Sequence, residues 1–139
     1  MKQLSKVLED VFEAKLEPDF VKRAVYIPAM DFVQYVSVDD VTVSKRIDVF
    51  LTLIYNYDQD KLVGFKLKGF RHFFDKYLKK ELDLSESDFF PLVRVLEEIC
   101  TQYGDQLTSD PEKKKAYQEA SEIARRDNVK VDNIRQIAA

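Results

Sequence analysis

A chain of 139 residues with 45% hydrophobic and 34% charged side chains has enough apolar surface for one core and too much for a disordered segment. Its three glycines leave little for the close backbone approach of phosphate- or dinucleotide-binding loops, and the lone Cys100 excludes an internal disulfide. The net charge of −3 hides a local excess: residues 61–80 carry 7 basic and 1 acidic side chain, against 7 and 11 in 1–60 and 8 and 13 in 81–139.

The start Met1-Lys2-Gln3-Leu4 opens no apolar run of signal-peptide or membrane-spanning length, so the expectation is a cytoplasmic protein with no membrane partner. Leu4, Val7, Leu8, Val11 and Phe12 recur at helical spacing and predict an amphipathic helix over 1–17, ended by Pro18. Phe20 to Ile27 fits neither period cleanly; Ala24 to Ile27 reads as a short strand stopped by Pro28. Phe32, Gln34, Val36 and Val38 alternate with Val33, Tyr35 and Ser37 as the first strand of a meander, with Asp39-Asp40 as its turn. Val41 and Val43 begin the next segment, which Ser44-Lys45-Arg46 interrupts.

Ile47, Val49, Leu51, Leu53 and Tyr55 alternate with Asp48, Phe50, Thr52, Ile54 and Asn56. Beyond Tyr57-Asp58-Gln59-Asp60 the period of two resumes in Val63, Phe65 and Leu67, which predicts an antiparallel hairpin. The second face of this hairpin is half apolar. Phe50 and Ile54 on it predict a cover, either a helix or a second copy of the chain, and with the small-residue stripe of the late helix they predict a homodimer.

After Gly69 the period becomes helical. Phe70, Phe73, Phe74, Tyr77 and Leu78 form a core-facing stripe, and Arg71, His72, Asp75, Lys76, Lys79 and Lys80 the outer one. Ser85 to Asp88 offer N-caps for a helix carrying Phe89, Leu92, Val93, Leu96, Ile99, Cys100 and Tyr103, with Pro91 in its first turn and Gly104 as its stop. Ser109-Asp110-Pro111-Glu112 starts another helix with a capping-box pattern, whose stripe is Ala116, Tyr117, Ala120, Ile123 and Ala124 and whose end is Asn128. Val131, Ile134 and Ile137 give the tail a short strand or a last helical turn. The expected organisation is one domain, 1–139: an N-terminal helix (1–17), a β-meander (32–68), a helical part (69–127) and a tail (128–139).

Asp60-Lys61-Leu62-Val63-Gly64-Phe65-Lys66-Leu67, with the strands before it, resembles the meander of a family of small uncharacterised bacterial proteins whose hairpin reads roughly D-G-x-L-V-G-I-E-I-L. The resemblance spans Phe32 to Gly69, and Lys61 stands where that family has its turn glycine. It implies a fold and no activity.

These patterns predict an α+β protein: a small antiparallel β-meander packed against about four helices, mostly on one face. For chemistry the sequence offers little. His72, the sole histidine, falls on a polar helix face, and proton transfer needs a positioned partner that no motif identifies. Cys100 sits on an apolar stripe, and Asp39, Asp40, Asp48, Asp58 and Asp60 read as turn residues rather than metal ligands. No catalytic residue, metal or cofactor is expected, and no glycine-loop, zinc or nucleophile-elbow motif occurs. The reading is a non-enzymatic protein-interaction or regulatory module. Lys66, Lys68, Arg71, His72, Lys76, Lys79 and Lys80 form a candidate patch for an anionic partner, with nucleic-acid binding as the rival reading. A small enzyme using carboxylates with His72 in a sheet–helix cleft is a third.

Overall fold

The structure, a computed structural model, describes residues 24–83 and 87–138. The expected helix over 1–17 and the cap candidates Ser85 and Glu86 lie outside the described residues. Five strands form one antiparallel sheet: β1 (Val25–Ile27), β2 (Phe32–Val36), β3 (Thr42–Arg46), β4 (Leu51–Asn56) and β5 (Leu62–Lys68), in the order β1-β2-β5-β4-β3. The helices are α1 (Phe70–Tyr77), α2 (Lys79–Asp83), α3 (Leu92–Thr108), α4 (Pro111–Arg126) and α5 (Ile134–Ile137). Strands β6 (Phe90–Pro91) and β7 (Lys130–Val131) form a second, two-stranded sheet. The protein is α+β, as its periodicities predict.

Parity organises the core. Val33, Leu67 and Leu51 stand abreast on β2, β5 and β4, and so do Tyr35, Phe65 and Leu53, all 2% exposed or less. Because neighbouring residues of a strand point to opposite faces, one in-register set must share a side, and that side takes the helices. Phe70, Phe73 and Phe74 of α1 are buried in this core, and Phe74 meets Phe90 edge-on at 5.0 Å. Gly69, at φ 67, turns the chain from β5 into α1.

The topology differs from a simple meander at one point. β3, β4 and β5 follow one another, but β2 pairs with β5, so the loop over 37–41 carries the chain to the far edge instead of closing a hairpin at Asp39-Asp40. The strand expected from Ile47 begins at Leu51. Asp48 Oδ1 accepts the backbone N–H groups of Phe50 and Leu51 at 2.9 and 2.8 Å, which makes 47–50 a turn and shifts Phe50 off the sheet's alternation.

The later helices also shift from expectation. Pro91 lies in β6, so α3 begins after it, and α3 passes through Gly104 to Thr108 with non-helical angles only at Tyr103. Asp110 rather than Ser109 caps α4, accepting from the N–H groups of Glu112 and Lys113. Asn128, at φ 50, follows its end as expected.

Gly64 is fixed by a neighbouring backbone. A Cβ there falls on the carbonyl oxygen of Tyr35 and 2.9 Å from Val36 Cα, both on the paired strand β2. Gly64→Ala should therefore lower the free energy of unfolding by about 1–3 kcal/mol. Gly104→Ala, where a Cβ meets nothing within 4 Å, should be neutral or stabilise α3 by up to about 1 kcal/mol. Urea titration of both variants checks the contrast.

Candidate functional site

Three tyrosine–aspartate pairs tie the elements together. Tyr35 donates its hydroxyl to Asp127 Oδ2 at 2.6 Å, across the sheet–helix interface. Tyr117 of α4 donates to Asp48 Oδ2 at 2.7 Å, so one carboxylate both shapes the β3–β4 turn and holds α4 to it. Tyr26 donates to Asp31 Oδ1 at 2.8 Å, and Asp31 also takes the N–H of Arg71 at 2.7 Å at the start of α1. Burial, then the hydrogen bond to its aspartate, pushes the Tyr26 phenol up to about 12, and the same two causes raise Tyr35 and Tyr117. These hydroxyls are neutral structural donors.

With Asp48 and Tyr117 fixing α4, a cleft of 280 Å³ remains between α4 and strands β3 and β4. Ile47, Leu53, Tyr55 and Ala116 line it together with Lys45, Arg46, Lys113, Lys115, Asp110, Glu112 and Glu119. Tyr55 and Glu119 also line a second depression of 420 Å³ that continues along α4 to Glu122 and Arg126. Burial, and after it the charge of Glu119, raise the Tyr55 phenol. Alternation brings Lys45 and Tyr55 toward α4: Lys45 is paired with Leu53, and Val43 with Tyr55.

The charges at this cleft are unequally engaged. Asp110 is committed to capping α4, and Lys115 reaches Glu119 at 4.0 Å. Among the described residues Arg46 donates to the backbone carbonyl of Asp48, and Lys45 and Lys113 form no ion pair. The lining therefore sets Lys45, Arg46, Lys113 and Lys115 against Asp110, Glu112 and Glu119. This local excess is positive in an acidic chain.

The residues expected to form an anionic patch are divided. Lys66 and Lys68 lie on the sheet face opposite Leu67, where Lys66 Nζ sits 4.5 Å from the centre of the Phe32 ring. Arg71, His72, Lys76, Lys79 and Lys80 are exposed on α1 and α2, in the layer over the other face. His72 lines neither depression beside α4.

The expected self-association surface is also redistributed. Phe50, moved by the Asp48 turn, packs on the helix side with its ring centre 5.9 Å from that of Phe73 and 5.1 Å from that of Tyr103. Ile54 remains on the outer face, abreast of Gly64 and Ser44, but is 2% exposed. Ala116, Ala120 and Ala124 are core residues. Cys100 is half-buried, and burial, then Asp48 and Glu97, raise its thiol.

Sequence reasoning missed the cleft because its two walls lie far apart in the chain. The usable signals were Lys45-Arg46 interrupting an apolar alternation and the lysine run at 113–115. Among the described residues no group of three or more histidine, cysteine or carboxylate side chains is placed to hold a metal ion, and no helix is long and apolar enough to cross a membrane. The chain matches no family model, no curated protein and no solved structure.

A tyrosine whose folded pKa is raised contributes stability that is complete below its unfolded pKa, about 10, and is lost as pH rises through the folded value. The melting temperature should therefore hold through neutral pH and fall between about pH 10 and 12. Tyr26→Phe should reduce that alkaline slope, a comparison that differential scanning calorimetry over the pH range makes directly.

Proposed function

We propose that this chain is a non-enzymatic protein-interaction module that binds its partner at the cleft between β3–β4 and α4. The observation that carries the reading is apolar lining beside Lys45 and Lys113, which form no ion pair among the described residues, at the terminal strand β3. Apolar surface gives a partner area to bury, and charge at the rim gives orientation and selectivity. In contrast, the tyrosines and aspartates that reach the interior are committed to one another, and His72 stands apart from the cleft.

With Phe50, Ile54 and the alanine stripe packed within one chain, the partner we infer is a different protein rather than a second copy. Nucleic acid is less favoured, because the cations of 61–80 stand on two layers and an electrostatic footprint needs them on one surface.

Affinity capture from the source cell, with quantitative mass spectrometry, tests the assignment. Lys45→Glu with Lys113→Glu should abolish the recovery of proteins held by the unaltered chain, whereas Lys66→Glu with Lys68→Glu should leave it intact. The opposite pattern overturns the assignment. Sedimentation equilibrium at micromolar concentration should return the monomer mass of 16.3 kDa, and a dimer mass would remove the preference for a different partner.

A further inference from the structure

Resting on that reading, we infer that the partner enters as an extended acidic strand that adds to the open edge of β3. In the strand order β1-β2-β5-β4-β3, β3 is terminal and pairs with β4 alone among the described residues. A terminal strand leaves every second N–H and C=O along its outer side without a sheet partner, a ready template for another strand. Ser44, Lys45 and Arg46 are exposed, and no other strand among the described residues pairs with this half of β3.

Charge selects which strand. Lys45, opposite Leu53, belongs to the helix-side face, and Arg46, opposite Thr52, to the other, so an added strand meets a cation on each of its faces. Lysine and arginine on an edge ordinarily discourage pairing, and here they do so against a second copy, whose own Lys45 and Arg46 would come to the same edge. A strand bearing carboxylates meets the opposite condition. Lys113, in the first turns of α4, adds a third cation on the helix side.

Size favours a strand over a free small molecule. At 280 Å³ the cleft falls just below the range of about 300–1,000 Å³ usual for small-molecule pockets, and it is continuous with a strand edge. Ile47, Leu53, Tyr55 and Ala116 offer a seat for an apolar side chain projecting from the incoming strand toward α4. The partner segment is thus extended, acidic, and apolar at one position facing α4.

The test titrates the ¹⁵N-labelled full chain with a blocked synthetic peptide of about nine residues in which glutamates on both strand faces flank a single central valine. Two control peptides carry lysine in place of glutamate, or N-methyl groups on alternate amides. The glutamate peptide should shift the amides of residues 42–46 and of the first turns of α4, more strongly at low salt, and both controls should not. Lys45→Glu with Lys113→Glu, two changes outside the core, should reverse the preference between glutamate and lysine peptides by about tenfold or more.

Equal binding of the N-methylated peptide, or shifts in the cleft without shifts in 42–46, overturns strand addition and leaves the cleft assignment standing. No shift with the glutamate peptide also overturns strand addition. Loss of the cleft assignment itself is read separately, from the capture experiment with the same charge-reversed variant.

Discussion

Tyr35, Phe65 and Leu53 stand side by side on three adjacent strands, with Val33, Leu67 and Leu51 in the next row, and the rest of the molecule depends on this shared parity. A slip of one residue in any of the three strands would turn its apolar set to the opposite face. The arrangement also brings a polar group inside, because Tyr35 is fully buried and its hydroxyl must find an acceptor. Asp127, where α4 ends, supplies that acceptor at 2.6 Å. The parity of one strand thereby fixes the position of a helix 92 residues away in sequence.

The same economy recurs across the aspartates. Asp31 receives the start of α1 and the Tyr26 hydroxyl, Asp48 shapes a turn and holds Tyr117, Asp88 receives the start of α5, and Asp110 caps α4. Short carboxylates suit these positions because they reach backbone N–H groups at helix starts and turns, where the chain has no internal acceptor to offer. An acidic chain can consequently present a basic surface. Several of its negative charges are directed inward or along the backbone, while Lys45 and Arg46 remain in solvent, so net charge is a poor guide to the field at any one edge.

Local patterns account for what could be read in the sequence. The alternation of β4 and β5, the phenylalanine stripe of α1 and the Pro111 helix start are short-range features, and each formed, although β4 begins at Leu51 instead of Ile47 and Asp110 instead of Ser109 caps α4. Phe50 could not be placed this way. Its parity depended on whether Asp48 bonded its own backbone, and that choice is coupled to Tyr117, distant in sequence. Pro91 was misplaced for a related reason: β7, its strand partner, lies near the end of the chain. The neighbour of β2 was likewise invisible, since a loop of five residues suits a hairpin as well as a crossing to the far edge. The cleft combines both problems, because its walls at 45–55 and 110–119 meet only once parity, turn and helix cap are all settled.

The two edges of the sheet are protected by different means. Beside β1, Ala24 donates to the carbonyl of Lys130 at 3.1 Å and bridges to Val131, and Pro28 ends the strand directly. That edge is shielded by backbone and by a residue with no N–H to give. β3 has only charge. Backbone shielding turns away every strand alike, whereas cationic shielding turns away like charge and admits carboxylates. An asymmetric pair of edges therefore concentrates selectivity at β3, where the adjoining cleft can also read one side chain.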